Sequence, residues 1–268
     1  MDNIVFSPNK FFIIAGPCVI ESEELCIEVA NRLQSICLKL DIPYVFKASY
    51  DKANRSSVSS FRGLGIEKGK DIFKKIRSKF NIPVLTDVHS PKEAEEIAPF
   101  VDILQIPAFL CRQTDLLVSA GKTQKWVNIK KGQFMSPWDM KNAVEKVYST
   151  GNKNVMLTER GTFFGYNNLV NDMRSLIVMA ELGVPVIFDA THSVQLPGGA
   201  GSCSSGQRQY IAPLARAAAA IGINGLFMEV HPDPDNALCD GPNSIRLADV
   251  ENLIKQIKEI NDYVRKTK

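Results

Sequence analysis

Eight short apolar runs recur along the chain, and a helix-like stretch follows each of them. The runs are rich in β-branched and aromatic residues that follow one another without alternation, which is typical of parallel strands buried on both faces. Each run ends close to a charged or polar residue. The runs cover residues 12–15, 44–46, 84–86, 103–104, 127–129, 155–157, 186–188 and 226–228.

The residues that follow these runs have reactive side chains. The carboxyl ends of the strands of a closed barrel meet at one end, where barrel enzymes place their active sites. A doubly wound open sheet has the same alternation, but it would not normally collect reactive residues after all eight strands. We therefore predict a (β/α)₈ barrel that forms one domain over residues 1–268. The side chains in question are Cys18, Lys47, Asp87, Gln105, Lys130, Arg160, Asp189 with His192, and Glu229 with His231.

Composition excludes several classes of protein. The net charge of +3 comes from charges of mixed sign, and no basic run suggests nucleic acid as a partner. No window approaches the roughly 18 apolar residues that cross a membrane, so we expect no membrane partner and a soluble, cytoplasmic protein. The six cysteines include no CxxC pair, which favours reduced thiols.

Helix signals support the same alternation. Apolar residues recur at helical spacing over 22–40, which predicts that Cys26 and Cys37 are core residues. Proline after serine predicts helix starts at residues 90–93 and 136–139. We expect residues 1–10 to cover the bottom of the barrel.

The densest chemical signal lies at residues 46–57, where Lys47, Lys52 and Arg55 accompany several hydroxyl and amide side chains. This mixture suits a phosphorylated sugar, because cations bind phosphate while amides and hydroxyls bind sugar oxygens. A solvated charged loop is the alternative. Lys130 and Arg160 end other strands and add cations, which favours two anionic substrates over one.

A metal site is predicted from Cys18, His192, Glu229 and Asp240, which follow the first, seventh and eighth strands. Thiolate, imidazole and carboxylate ligands together suit Zn²⁺, Fe²⁺ or Mn²⁺. Taken singly, Cys18 is better explained as a buried thiol, and His192 as a core or helix-capping histidine, than as metal ligands; their shared position at the strand ends favours the metal site.

Several long motifs resemble one known family. They lie at residues 15–22, 52–56, 105–113, 127–134, 157–161 and 189–193. These segments are similar to the metal-dependent class of 3-deoxy-D-manno-octulosonate-8-phosphate synthases, also called 2-dehydro-3-deoxyphosphooctonate aldolases, and the resemblance covers nearly the whole chain.

The resemblance implies a transferase that condenses phosphoenolpyruvate with D-arabinose 5-phosphate and water for lipopolysaccharide (Kdo) biosynthesis. In this scheme the third carbon of phosphoenolpyruvate attacks the aldehyde, water adds at the second carbon, and phosphate leaves by carbon–oxygen cleavage. The implied phosphoenolpyruvate ligands are Lys47, Ser49, Lys52, Gln105, Ala108 through its backbone N–H, Lys130 and Arg160. The implied arabinose 5-phosphate ligands are Asn54, Arg55 and Ser56, with Arg112 reaching the site of a neighbouring subunit in a homotetramer.

Within this family, cysteine at the position of Cys18 marks the branch that requires a divalent metal. Residues 239–242 instead resemble a segment more usual in the metal-independent branch. The proton-transfer group stays open between His192, Asp87 and a bound phosphate. Lys52 and Asn54 complete the set of predicted catalytic residues.

Two other functions stay open from the sequence. The related 3-deoxy-D-arabino-heptulosonate-7-phosphate synthase uses erythrose 4-phosphate, although residues 53–56 favour the five-carbon sugar. A phosphosugar-sensing barrel without turnover is the alternative from another class. The roles of His89 and His231 also stay open, and the glycine- and serine-rich segment 197–206 is either a lid or a passive connector.

Overall fold

A computed structural model describes residue 6 and residues 10–55, 57–199 and 205–267. Within these residues, eight parallel strands pair each with the next, and the last pairs with the first to close a barrel. The (β/α)₈ barrel predicted from the apolar runs is confirmed. The strands are β1 (Phe12–Gly16), β2 (Tyr44–Lys47), β3 (Val84–Asp87), β4 (Ile103–Ile106), β5 (Trp126–Lys130), β6 (Val155–Glu159), β7 (Val186–Asp189) and β8 (Gly225–His231).

Helices cover the outside of the barrel. Apolar helix residues pack against outward-facing strand residues such as Ile13, Phe46 and Leu157, and together they form the main core. The helices are α1 (Glu23–Lys39), α2 (Ile66–Phe80), α3 (Pro91–Ile97), α4 (Thr114–Lys122), α5 (Met140–Tyr148), α6 (Arg174–Ala180), α7 (Ile211–Ile221) and α8 (Val250–Thr267).

Two of the helix predictions are confirmed and one is wrong. The Ser22 hydroxyl caps α1 by accepting from Leu25 N–H, and the Ser90 hydroxyl caps α3 in the same way. The start predicted at 136–139 is wrong, because α5 begins only at Met140. Residues 136–139 form turns instead, in which Met140 N–H donates to the carbonyl of Pro137, so the serine–proline signal begins a turn there.

Inward-facing residues divide the barrel interior into two levels. Side chains two residues apart on a strand share a face, so each strand sends alternate residues inward. The lower level is apolar and includes Phe12, Leu85 and Phe227. Phe6 closes it from below, with its ring 4.9 Å from that of Phe12 and 5.2 Å from that of Trp126. Among residues 1–10, which we expected to cover the bottom, 1–5 and 7–9 lie outside the described residues.

Two short antiparallel pairs extend from the carboxyl ends of the strands. Thr162–Phe163 pairs with Leu169–Val170 after β6, and Gln195–Leu196 pairs with Ser205–Gly206 after β7. The second pair brackets the predicted lid segment, of which residues 200–204 lie outside the described residues. In the part of the chain that the structure describes, none of the helices is long and apolar enough to span a bilayer.

Candidate active site

The upper level of the barrel interior is charged. Lys47, Asp87, Asp189 and Glu229 each stand two positions after an apolar inward-facing residue, whereas Lys130 follows Asn128 on its face of β5, and all five are buried. They therefore face one another at the carboxyl end of the barrel, as the sequence predicted. Because an unpaired buried charge is costly, these groups must be held in pairs and hydrogen-bond networks.

The first network surrounds Asp87. One carboxylate oxygen accepts from the Ser49 hydroxyl and the other from the Gln105 amide. The Gln105 side chain accepts in turn from the Asn128 amide at 2.8 Å. Burial alone would raise the pKa of Asp87, but the charges of Lys47, Lys52 and Lys130 outweigh it and hold that pKa well below its usual range. Asp87 is therefore ionised at neutral pH.

The second network surrounds Asp189. Its Oδ2 accepts from Lys130 Nζ at 2.7 Å and lies 2.8 Å from His192 Nδ1, while its Oδ1 accepts from the backbone N–H of His192 at 2.9 Å. Asp189 thus fixes both side chains. The Lys130 ammonium also lies 3.8 Å from the centre of the Phe227 ring. Burial lowers the pKa of Lys130, and the charge of Asp189 opposes that effect.

The third network surrounds Glu229. Its Oε1 accepts from Lys47 Nζ at 3.0 Å and lies 3.4 Å from Lys52 Nζ. Burial alone would lower the pKa of Lys52, but its acidic neighbours, the Cys18 thiol and the Glu229 carboxylate foremost, outweigh it and hold that pKa high. Among the described residues, Glu229 Oε2 is buried and has no hydrogen-bond partner. One oxygen of this carboxylate is therefore left for a ligand.

Glu229 and the other three predicted metal ligands lie close to one another. His192 Nε2 lies 3.6 Å from Glu229 Oε1 and 3.9 Å from Asp240 Oδ2, and Cys18 Sγ lies 3.4 Å from the same Asp240 oxygen. Since Asp189 holds His192 through Nδ1, the Nε2 atom faces the carboxylates, which is the usual arrangement of a metal-bound histidine. With the orphaned Glu229 oxygen, this donor set fits a divalent metal.

One cavity lies above these networks. Three predicted site residues do not line this cavity: Cys18 and Ser49 are buried, and Arg112 is exposed. Ser56 lies outside the described residues. The predicted site residues that line it are Lys47, Lys52, Asn54, Arg55, Asp87, Gln105, Ala108, Lys130, Arg160, His192, Glu229 and Asp240.

The cavity wall also contains residues for which the sequence predicted no role, among them Gln195, which contacts Arg160. Arg160 donates through NH2 to Gln195 Oε1 at 2.9 Å, whereas its NH1 is buried without a partner among the described residues. Gln133 and Cys239 line the same cavity. Behind the wall, the buried Lys131 ammonium lies 3.4 Å from Glu159 Oε1. Asp189 could be identified from the sequence because it ends a strand. No local signal in the sequence showed that its partners are Lys130 and His192.

The two other histidines have structural contacts. His89 lines the cavity, and its Nδ1 lies 3.0 Å from Glu93 Oε2, which also accepts from Tyr50. His231 accepts from the backbone N–H of Asp233 at 3.0 Å. These contacts favour hydrogen-bonding support as the role of both side chains.

Comparison with known proteins defines the class to which this barrel and its charged site belong. The family model described as DAHP synthetase I family matches residues 5–266. The chain therefore belongs to the DAHP synthetase I family.

Relatives narrow the assignment. A protein of Geobacter sulfurreducens named 2-dehydro-3-deoxyphosphooctonate aldolase is 57% identical, over 94% of this chain and 93% of its own length. A protein of the same name from Fusobacterium nucleatum is 58% identical, over 98% of this chain and 95% of its own length. Another from Syntrophotalea carbinolica is 59% identical, over 94% of this chain and 91% of its own length. The resemblance to the 2-dehydro-3-deoxyphosphooctonate aldolases that the motifs predicted is confirmed.

The second network leads to a prediction about stability. Replacing Asp189 by asparagine (Asp189→Asn) keeps the side-chain shape but leaves the buried Lys130 without its partner charge. We expect the free energy of unfolding at pH 7, measured with urea, to fall by about 3–5 kcal/mol. The matched change Asp172→Asn removes an exposed ion pair with Arg174 and should cost less than about 1 kcal/mol.

The difference in unfolding free energy between the wild type and Asp189→Asn should depend on pH in a defined way. The pKa of Asp189 is lowered in the folded protein, chiefly because the charges of His192 and Lys130 outweigh the effect of burial. Its contribution to stability is therefore complete above the unfolded pKa of about 4 and is lost as the pH falls toward the folded value. Urea unfolding of both proteins at several pH values checks this expectation. If the greater stability of the wild type is already lost as the pH falls from 8 to 5, the role given to the Asp189 charge is wrong.

Proposed function

We propose that this chain condenses phosphoenolpyruvate with D-arabinose 5-phosphate and water, giving 3-deoxy-D-manno-octulosonate 8-phosphate and phosphate in Kdo biosynthesis. The observation that carries the proposal is that five cationic side chains line one cavity beside a set of metal donors. Two phosphorylated substrates account for this number of cations better than one. The cations are Lys47, Lys52, Arg55, Lys130 and Arg160.

Phosphoenolpyruvate is assigned to the inner part of the cavity. Lys130 and Arg160 are buried, and burial lowers the pKa of each, so both gain from a bound anion. Arg160 NH1, which has no partner among the described residues, is available to donate to a phosphate or carboxylate oxygen. Lys47 and the Gln105 amide complete this subsite from β2 and β4, beside the backbone N–H of Ala108.

Asp87 is assigned the task of orientation within this subsite. Its lowered pKa makes it a weak base at neutral pH, whereas both of its oxygens hold neighbouring donors. It fixes the Ser49 hydroxyl and the Gln105 amide, two groups predicted to contact phosphoenolpyruvate. His192 is held by Asp189 through Nδ1 and is proposed below as a metal ligand through Nε2, so both of its ring nitrogens are engaged. We therefore propose the bound phosphate as the proton carrier.

Arabinose 5-phosphate is assigned to the outer part of the cavity. Asn54 and Arg55 line this part from the loop after β2, with Lys52 between them and Glu229. Aligning the aldehyde with the third carbon of phosphoenolpyruvate is worth roughly 7–11 kcal/mol in the favourable limit. Pairing two anions also requires the attraction that these cations supply.

We propose that Cys18, His192, Glu229 and Asp240 hold a divalent metal, either zinc, iron or manganese. When bound, such an ion supplies a Lewis acid that polarises an aldehyde oxygen or lowers the pKa of a water molecule. The protein contributes the fixed orientation of the ligands, because Asp189 holds the His192 ring and Lys47 and Lys52 hold Glu229.

We further propose a homotetramer in which Arg112 serves the sugar-phosphate subsite of a neighbouring copy. Arg112 is exposed and does not line the cavity of its own chain, although it follows a barrel strand. The large apolar side chains of Phe109, Phe134 and Trp138 are also exposed near this side of the barrel. Light scattering that gives a monomer at micromolar concentration would contradict this assembly.

The activity is tested by substrate choice. Purified protein is supplied with phosphoenolpyruvate and either arabinose 5-phosphate or erythrose 4-phosphate, and both phosphate release and product mass are measured. We expect a clear preference in kcat/KM for the five-carbon sugar. Preference for erythrose 4-phosphate would instead support the seven-carbon synthase, and saturable binding without consumption of phosphoenolpyruvate would support a sensor.

The sugar-phosphate subsite is tested by two arginines of the same loop. Arg55→Ala removes a cation from the cavity, and we expect kcat/KM for arabinose 5-phosphate to fall by about 10- to 100-fold. Arg62→Ala removes an arginine that pairs with Asp51 and is 57% exposed, so activity should change by less than about 2-fold. Equal losses in both variants would show that Arg55 has no special role.

The metal is tested by removal and replacement. Treatment with a chelator until elemental analysis finds no transition metal should lower phosphate release by at least about 100-fold. Adding back zinc, iron or manganese separately should restore activity and identify the preferred ion. If the metal-free protein keeps full activity, the metal-dependent assignment is wrong.

A further inference from the structure

A second thiol lies beside the metal ligands. Cys239 is 2% exposed, and its Sγ lies 2.9 Å from Cys18 Sγ. The guanidinium of Arg55 donates through NH1 to Cys239 Sγ at 2.9 Å. Cys18, Cys239 and Asp240 offer ligand atoms that all lie within 4.8 Å of one another.

The two groups of donors share one residue. His192, Glu229 and Asp240 form a second group within the same 4.8 Å limit, so Asp240 lies between the sulfur ligands and the imidazole. We propose that Cys239 is a second thiolate ligand of this metal centre, so that two sulfurs hold the ion. The inference rests on the metal site proposed above and adds a ligand to it.

The surroundings of Cys239 differ from those of a core thiol. Cys26 and Cys37 pack within the apolar core between α1 and the barrel, whereas Cys239 forms a small separate cluster with Cys18 and Val19 and reaches the cavity. The Arg55 guanidinium lies 2.9 Å from this sulfur, so the Cys239 side chain faces a charged group and the proposed metal donors rather than apolar neighbours alone. The geometry is thus that of a ligand.

Binding requires only a small movement. With metal–sulfur bonds of about 2.3 Å and an angle of about 90–110° between them, two thiolates on one ion lie about 3.3–3.8 Å apart, so the sulfurs would separate by less than about 1 Å. A second soft ligand also shifts the preference of the site from manganese toward zinc or iron.

The ligand count is measured without an activity assay. X-ray absorption spectroscopy of the zinc-loaded wild type should find two sulfur scatterers at about 2.3 Å. In the cobalt-loaded protein, the sulfur-to-cobalt charge-transfer band should fall to about half its intensity in Cys239→Ser and in Cys18→Ser, and vanish in the double variant. Cys37→Ala removes a remote buried thiol and should leave the band unchanged.

The measurement on the wild type keeps the proposal testable even if a variant does not fold. One sulfur per zinc ion in that spectrum overturns it, as does a full-intensity band in Cys239→Ser. The outcome is separable from that of the proposed function. A protein with one sulfur per ion that still forms the eight-carbon product disproves the second ligand alone, whereas two sulfurs without turnover disprove the activity alone.

Discussion

Pairing of buried charges is the constraint on which the upper half of this barrel depends. Lys47, Lys130, Asp189 and Glu229 are all buried, and most of the interior beneath them is apolar. The apolar floor cannot replace lost hydration, so each charge is stabilised by a neighbour of opposite sign and by hydrogen bonds with the barrel wall. The pairs fix the side chains before any substrate arrives. Such preorganisation is what makes electrostatic stabilisation effective in enzymes.

The sequence predicted the parts of the site that follow from strand position. A parallel strand that ends in Lys47, Asp87, Lys130 or Glu229 places that residue at the carboxyl end of the barrel, because all eight strands point the same way. The convergence of the metal donors follows from the same rule. For this reason the fold, the cavity and most of its lining could be predicted from local patterns alone.

The choice of partners could not be predicted in this way. Asp189 holds Lys130 across the barrel, and Cys239 reaches Cys18 from a position 221 residues further along the chain. Such contacts depend on strand register and on loop paths that sequence spacing does not encode. The failed helix start at 136–139 has a different cause: serine followed by proline begins turns as readily as helices.

The loop that contains Arg55 connects the two halves of the proposed site. The guanidinium lies 3.8 Å from Asp240 Oδ1 and also contacts Cys239, so one arginine borders both the sugar-phosphate subsite and the metal donors. A phosphate that attracts Arg55 would therefore alter the charge felt by these ligands. In the proposed site, a single side chain thus links the subsite of the second substrate to the metal ligands.

The apolar floor of the barrel has a consequence for molecular traffic. Phe6, Phe12 and Phe227 belong to a packed apolar layer that fills the interior below the charged level. Every molecule that enters or leaves must therefore use the mouth at the carboxyl end. In the proposed reaction, released phosphate and the sugar acid leave through the same opening by which the substrates enter, so slow release of either product would delay the next turnover.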